Sequence, residues 1–319
     1  MLIFKKMKMK KTQIKLLSIA AFFLIIFSTA CTNELDQAPE GSNQQSDEEL
    51  FSNPDSYKQF LAKLYAGLAT TGQQGPAGQP DISDIDEGFS QYLRGYWQMQ
   101  ELTTDEAIIA WNDKTIKDFH SQTWTSVDVF INATFNRLTF QVTACNEFLR
   151  QTTADKLSSR GVSAADQATI GTYRAEARFL RALSYWHGLD LYGKMSFVTE
   201  DSPVDAGFQP AEISKADLFA FVTSELIACS ADMKAPKTND YGRADKAAAW
   251  LLLAKVYLNG KTYTGTDYTT QCLNYTQQVI GSGYAVSPTM PYSWLFLADN
   301  NTNGAQNENI FVVESDGVH

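Results

Sequence analysis

The chain has 319 residues, 44% of them hydrophobic, and 26 Lys and Arg stand against 36 Asp and Glu for a net charge of −10. The apolar content excludes a disordered polymer, and the acidic surplus excludes nucleic acid as a partner because the long-range field repels phosphate. Aromatics reach 12%, with 6 Trp and 14 Tyr, which is more aromatic surface than a core of this size requires and points to binding.

The N-terminus reads as an address. Lys5, Lys6, Lys8, Lys10, Lys11 and Lys15 form a basic start, Leu16 to Phe27 is apolar except for Ser18, and Ser28-Thr29-Ala30 lead to Cys31. The apolar run is too short to span a bilayer comfortably, so residues 1–30 are expected to be a cleaved signal peptide. Small residues ending at a cysteine resemble a bacterial lipobox, with Ser28 where leucine is usual. Cys31 is then the lipidated first residue of the mature protein; plain secretion with cleavage near Ala30 is the alternative. Residues 31–50 are polar and acidic and read as a flexible tether. Residues 51–319 read as the folded domain.

Asn53-Pro54 predicts a helix start, with Asn as the cap and Pro where no N–H is needed. Tyr57, Phe60, Leu61, Leu64 and Leu68 follow at helical spacing until Gly72. Thr71 to Gly88 carries four Gly, two Pro and several Asp and reads as a long loop. Helical patterning resumes near Tyr92 and is clear from Val127 to Arg150. Ser163 to Tyr192 is the strongest helix, closed by Gly193. Its two apolar stripes, Ala175-Phe179-Ala182-Trp186-Leu189 and Leu180-Leu183-His187, predict neighbours on both sides. Met195 to Val198 looks extended. Further helices are predicted from Ser214, from Ala244 to Leu258, and from Tyr268 to Ile280. Small alanines among large aromatics in these successive helices suggest tetratricopeptide-like hairpins. Ile310 to Val313 looks like a strand.

Little of this carries chemistry. No G-x-S-x-G, G-x-G-x-x-G, Walker loop or H-E-x-x-H occurs, and no cofactor is implied. With three His and no C-x-x-C, a zinc site has little to work with. Cys145, Cys229 and Cys272 read as thiols used as small hydrophobes, and His187 as a structural histidine. Asp86-Glu87 and Asp105-Glu106 are acid pairs, but adjacency does not place carboxylates across a cleft as a hydrolase needs. Asp81, Asp84, Asp86 and Glu87 offer oxygen ligands without the spacing of a calcium loop, and a solvated acidic loop is the simpler expectation.

Gly95 to Trp124 is more informative. Tyr96, Trp97, Trp111, Phe119 and Trp124 are interleaved with Asp105, Glu106, Asn112, Asp113 and Lys114. Aromatic faces beside amides and charges suit sugars. Trp97 and Trp124 are expected in the core. Trp111 is expected near solvent, because Asn112-Asp113-Lys114 follow it and Ala107-Ile108-Ile109-Ala110 can anchor the segment behind it.

Several blocks resemble the SusD-like (RagB-like) outer-membrane nutrient-binding lipoproteins of Bacteroidetes. They are Cys31 with Glu34-Leu35-Asp36 and Pro39; Asn53-Pro54 to Leu68; Glu101-Leu102-Thr103-Thr104-Asp105-Glu106-Ala107 with Trp111 and Trp124; and Arg137-Leu138 with Cys145-Asn146. To these add Glu176-Ala177-Arg178-Phe179-Leu180-Arg181-Ala182 with Tyr192-Gly193, Gly242-Arg243-Ala244 to Leu258, and Asn307-Glu308-Asn309-Ile310-Phe311. Phe135 stands where relatives often carry tyrosine.

The resemblance implies a mostly α, SusD-like fold with tetratricopeptide-like hairpins as scaffold and long ligand-binding loops. It implies no catalysis. Members capture oligosaccharide at the outer-membrane surface, held by a lipid anchor, as lids on a SusC-like TonB-dependent transporter that docks on the helical-repeat side. A starch-like α-glucan is the leading ligand. The matching ligand positions are Trp111 and Arg94, with a polar contact at Asn112 or Lys114. Members run well beyond this length, so a C-terminal part with further site aromatics is expected past His319. A binder of another glycan or glycopeptide, a helical-repeat scaffold without a small ligand, and a secreted hydrolase are the rival expectations.

Overall fold

The computed structural model describes residues 46–72, 80–83 and 85–315. The expected signal peptide and Cys31 lie outside the described residues, as does Asp84. Two compact units are distinguished, Met1–Asn53 and Pro54–His319. In the first, α1 (Asp47–Leu50) is capped by Ser46, whose Oγ accepts from the Glu49 N–H at 3.2 Å. The segment expected to be a tether thus ends in a helical turn.

The second unit is helical. It contains α2 (Asp55–Ala66), α3 (Tyr92–Glu101), α4 (Lys114–Ser121), α5 (Val129–Gln151), α6 (Ala154–Ser159) and α7 (Ala164–Tyr192). After these come α8 (Lys215–Asp232), α9 (Lys246–Leu258), α10 (Gly260–Thr264) and α11 (Thr269–Ile280). Met195–Ser196 (β1) pairs antiparallel with Glu212–Ile213 (β2), Met195 opposite Ile213. Helix starts follow local chemistry. Ser163 and Ser214 accept from the N–H three residues on, and Asp128 accepts from Phe130 and Ile131. Pro54, rather than Asn53, occupies the cap position of α2. Gly193 closes α7 at φ 77, a conformation that needs a residue without Cβ.

α7 is the central helix, packed against α2, α5 and α8, while α9 joins α8 to α11 and α3 crosses α5. Both predicted stripes of α7 are used: Phe179, Ala182, Leu180 and Leu189 all lie in the main core. At the α3–α5 crossing a Cβ on Gly95 would lie 2.4 Å from Thr134 Oγ1, so only glycine permits this approach. A smaller core of Leu102, Ile116, Phe119 and Phe130 lies beneath the segment before α4. Ile310 to Val313, expected as a strand, pairs with no strand among the described residues; instead Phe311 packs edge-on against Phe179 at 5.3 Å.

Buried charges join distant parts of the chain. Glu176 of α7 is fully buried and accepts from Arg243 Nε at 3.0 Å, Arg243 Nη2 at 2.5 Å and the Tyr65 hydroxyl at 2.6 Å. Tyr65 in turn accepts from the Ala244 N–H at 3.0 Å. Arg181 bonds Glu225 at 2.6 Å and Asn146 at 2.6 Å, and also Glu200. Arg137 of α5 is equally enclosed. It donates to Ser90 O at 2.7 Å, Asp81 Oδ2 at 2.9 Å and Thr71 O at 3.1 Å. Charges buried this way need every partner, and they hold helices and loops in one arrangement.

Cys145 and Cys229 are buried, and burial pushes both thiols up to about 12. His187 is buried within 2.7 Å of the Tyr92 hydroxyl and stacked on Tyr96 at 4.1 Å. Burial, assisted by the Lys255 charge, lowers it to about 3, so it is neutral and structural.

Candidate functional site

The candidate site begins where α3 ends. Between α3 and α4 the chain runs over the small core with alternate residues turned in: Ala107 and Ile109 pack on it, whereas Ile108 is 80% exposed. The expected four-residue apolar anchor is therefore a two-residue one. The Ile109 N–H donates to His120 Nε2 at 3.1 Å, which fastens the segment to α4. Two residues later Trp111 emerges 52% exposed.

Arg94 of α3 meets it. The Arg94 guanidinium lies 5.4 Å from the centroid of the Trp111 ring and 4.3 Å from that of Phe89. Its Nη1 donates to Gly88 O at 2.6 Å. Burial lowers the Arg94 pKa, while Asp86 and Asp113 raise it. A guanidinium against two rings orients them and leaves donors at the edge of the indole. The arrangement offers an aromatic platform with a cationic donor at its side. It brings no nucleophile and base together.

The expected polar partners point elsewhere. Asn112 accepts from Lys117, and Lys114 pairs with Asp118 one turn along α4. Asn112 lies just before α4 and Lys114 is its first residue; the polar run 112–114 concealed this helix, and the bonds of both side chains run to it. Trp97 and Trp124, expected in the core, are 45% and 43% exposed. Phe89, which supports Arg94, was missed because it sits in a three-residue 3-10 turn at the end of the Gly-rich loop, where no periodicity marks it.

Of the loop's described acids Asp86 is exposed, as expected, whereas Asp81 and Glu87 are held by bonds to the rest of the fold. Asp81 is bonded to Arg137 and to Lys63 at 3.4 Å, and Glu87 accepts from the Thr71 hydroxyl at 2.7 Å. Among the described residues no group of three or more His, Cys, Asp or Glu is placed to hold a metal ion. Asp105 and Glu106 are exposed beyond the end of α3.

No family model matches the chain. The chain is 38% identical over 315 residues to the starch-binding protein SusD of Bacteroides thetaiotaomicron, covering 97% of this chain and 53% of that protein. A SusD-like protein of Bacteroides fragilis superposes with TM-score 0.63 at 19% identity, covering 88% of this chain and 48% of the other. The chain belongs to the SusD-like family. A laminarin-binding SusD-like protein shares the fold at TM-score 0.56 and 16% identity, over 77% of this chain and 49% of the other. The chain spans about half the length of these relatives.

The SusD-like sequence blocks acquire a physical meaning here. The first-helix block, the Glu176 block and the Gly242-Arg243-Ala244 block meet at one carboxylate, through Tyr65, Arg243 and Ala244. Phe311, from the block near the C-terminal end, packs on Phe179 of the second. These blocks carry the SusD-like scaffold, and the Trp111 segment lies apart from them.

Proposed function

We propose that the protein is a cell-surface glycan-binding lipoprotein that captures a starch-like α-glucan and delivers it to a SusC-like TonB-dependent transporter. The observation that carries the reading is the half-exposed Trp111 with the Arg94 guanidinium against it, in a chain related to a starch-binding protein. A pyranose ring stacks on the indole through its C–H face, and its hydroxyls accept from the guanidinium edge. Binding of this kind requires no proton transfer and no cofactor. Asn112 and Lys114 contribute only if ligand draws them from Lys117 and Asp118, and an exposed pair such as Lys114–Asp118 separates at small cost.

Lipidation at Cys31 anchors the protein in the outer membrane in this proposal. Among the described residues no helix is long and apolar enough to cross a membrane. Cys31→Ala should move the protein from the membrane fraction to the soluble one. Retention of that variant, with no acyl mass on the wild-type N-terminus, removes the lipoprotein reading.

The second reading is a different glycan, favoured by the shared fold with a laminarin-binding protein. Calorimetric titration with maltooligosaccharides and laminarioligosaccharides separates the two. Heat from the first series alone supports the α-glucan. Heat from the second alone supports the rival, and silence from both overturns glycan capture.

A further inference from the structure

We propose that the groove beside Trp124 is a second glycan-binding site, selective for neutral pyranosides, at the opposite end of α4 from Trp111. The groove encloses about 490 Å³ and is lined among others by Trp124, Thr103, Thr125, Ser126, Asp190 and Tyr192. That volume lies within the range of small-ligand sites. Its lining mixes apolar Met99, Phe119, Ile131 and Leu191 with the groups a sugar uses: one large exposed ring, exposed hydroxyl residues Thr125 and Ser126, and a carboxylate.

Each part is held in place. Trp124 leans on the buried Phe119, ring centroids 6.3 Å apart at 55°. Asp190 is fixed by the Tyr263 hydroxyl at 2.6 Å on Oδ1 and by Gln100 at 3.4 Å on Oδ2, and each oxygen has a further lone pair to accept from a sugar hydroxyl. The carboxylate disfavours uronates and sulfated sugars, which is why the ligand is neutral.

A second observation comes from the backbone. Gln122, which ends α4, stands at φ 53, ψ 41, a left-handed conformation uncommon for a residue with a side chain. Its Nε2 donates to Thr103 O at 2.9 Å, and the Thr123 N–H donates to Asp118 O at 2.8 Å. This turn delivers Trp124 to the groove mouth instead of letting α4 continue. This is a common way for a helix to end, and here it fixes the direction in which Trp124 leaves α4.

α4 is about 12 Å long at 1.5 Å per residue, with Trp111 just before it and Trp124 just after. One rigid element thus carries two aromatic platforms. A glycan long enough to touch both gains from linked binding.

The test is nuclear magnetic resonance of the indole N–H groups in tryptophan-labelled full chain, with Trp124 assigned from Trp124→Phe and Trp111 from Trp111→Ala. Maltoheptaose and laminariheptaose are titrated into the wild type and into Trp111→Ala. A saturable shift of the Trp124 signal is expected in both proteins, and Trp124→Ala should lower the apparent affinity for the heptaose that binds by roughly tenfold or more. A Trp111 shift with Trp124 stationary overturns the second site alone. A Trp124 shift with Trp111 stationary supports this site and overturns the Trp111 reading. A Trp124 shift that disappears in Trp111→Ala is an indirect effect and overturns the proposal, and so does silence from both signals.

Discussion

The interior of α7 and the surface around α4 treat unfavourable groups in opposite ways. Glu176 is a charge taken wholly out of water, and its oxygens accept three hydrogen bonds from Arg243 and Tyr65. Trp111 and Trp124 are apolar groups left half in water, each propped from one side, by Arg94 and by Phe119. The first region hides polarity by completing its bonds. The second displays apolar rings by fastening the backbone beneath them, at Ile109–His120 and at Gln122–Thr103. Substitutions in the interior should therefore act on folding, and substitutions around α4 on binding.

Arg137 offers the largest way to break that division, because it serves both regions. It holds Thr71, Asp81 and Ser90, the ends of the loop that carries Gly88 and Phe89 under Arg94. Arg137→Ala leaves Asp81 and two carbonyls without their buried cation, at an expected cost of about 3–5 kcal/mol in denaturant unfolding. It should also weaken glycan binding in whatever fraction folds. A cost below about 1 kcal/mol, the range of ordinary substitutions, would mean that the loop is held by something else.

Ala182 tests the packing half alone. It is fully buried beside Phe179 and Trp186 on the face that α7 turns to the core. Ala182→Leu should overpack it by about 1–3 kcal/mol, read as a fall in thermal midpoint. An unchanged midpoint would contradict close packing there.

Protonation of His187 costs nothing at neutral pH and destabilises the fold below it. Its folded-state value is lowered from 6.5 to about 3 by burial and Lys255, so below 6.5 the unfolded chain binds a proton that the folded chain refuses. The stability this histidine contributes is present above pH 6.5 and is lost as pH falls towards 3. Denaturation midpoints measured across that window should decline, and His187→Gln should flatten the decline. A variant as acid-sensitive as the wild type would place the titration elsewhere.

Much of the scaffold was legible in the sequence. Ser163, Ser214 and Gly193 mark helix ends through local chemistry that operates within three or four residues, and the stripes of α7 mark its burial. The partners of Glu176 and Arg137 were not legible, because Arg243 is 67 residues from Glu176 and Asp81 is 56 from Arg137, and no periodicity encodes such pairs. α4 was missed for a related reason. Only Ile116 and Phe119 of its eight residues are buried, too few for a pattern, and without α4 the pairing of Asn112 and Lys114 with its side chains and the exposure of Trp124 could not be foreseen. The exposure of Trp111 was legible from the polar run after it; Arg94 entered only through the family resemblance, and its approach to Trp111 beside Phe89 and Gly88 required the fold.

The measurement that bears most directly on the division between scaffold and site is Trp111→Ala, followed by denaturant unfolding and by calorimetric titration with maltooligosaccharides on the same preparation. Unfolding should shift by no more than about 0.5 kcal/mol, as for surface substitutions, while most of the glycan affinity is lost. A variant that unfolds would make Trp111 a core residue, and one that folds and binds as tightly as the wild type would place the glycan away from the Arg94 platform.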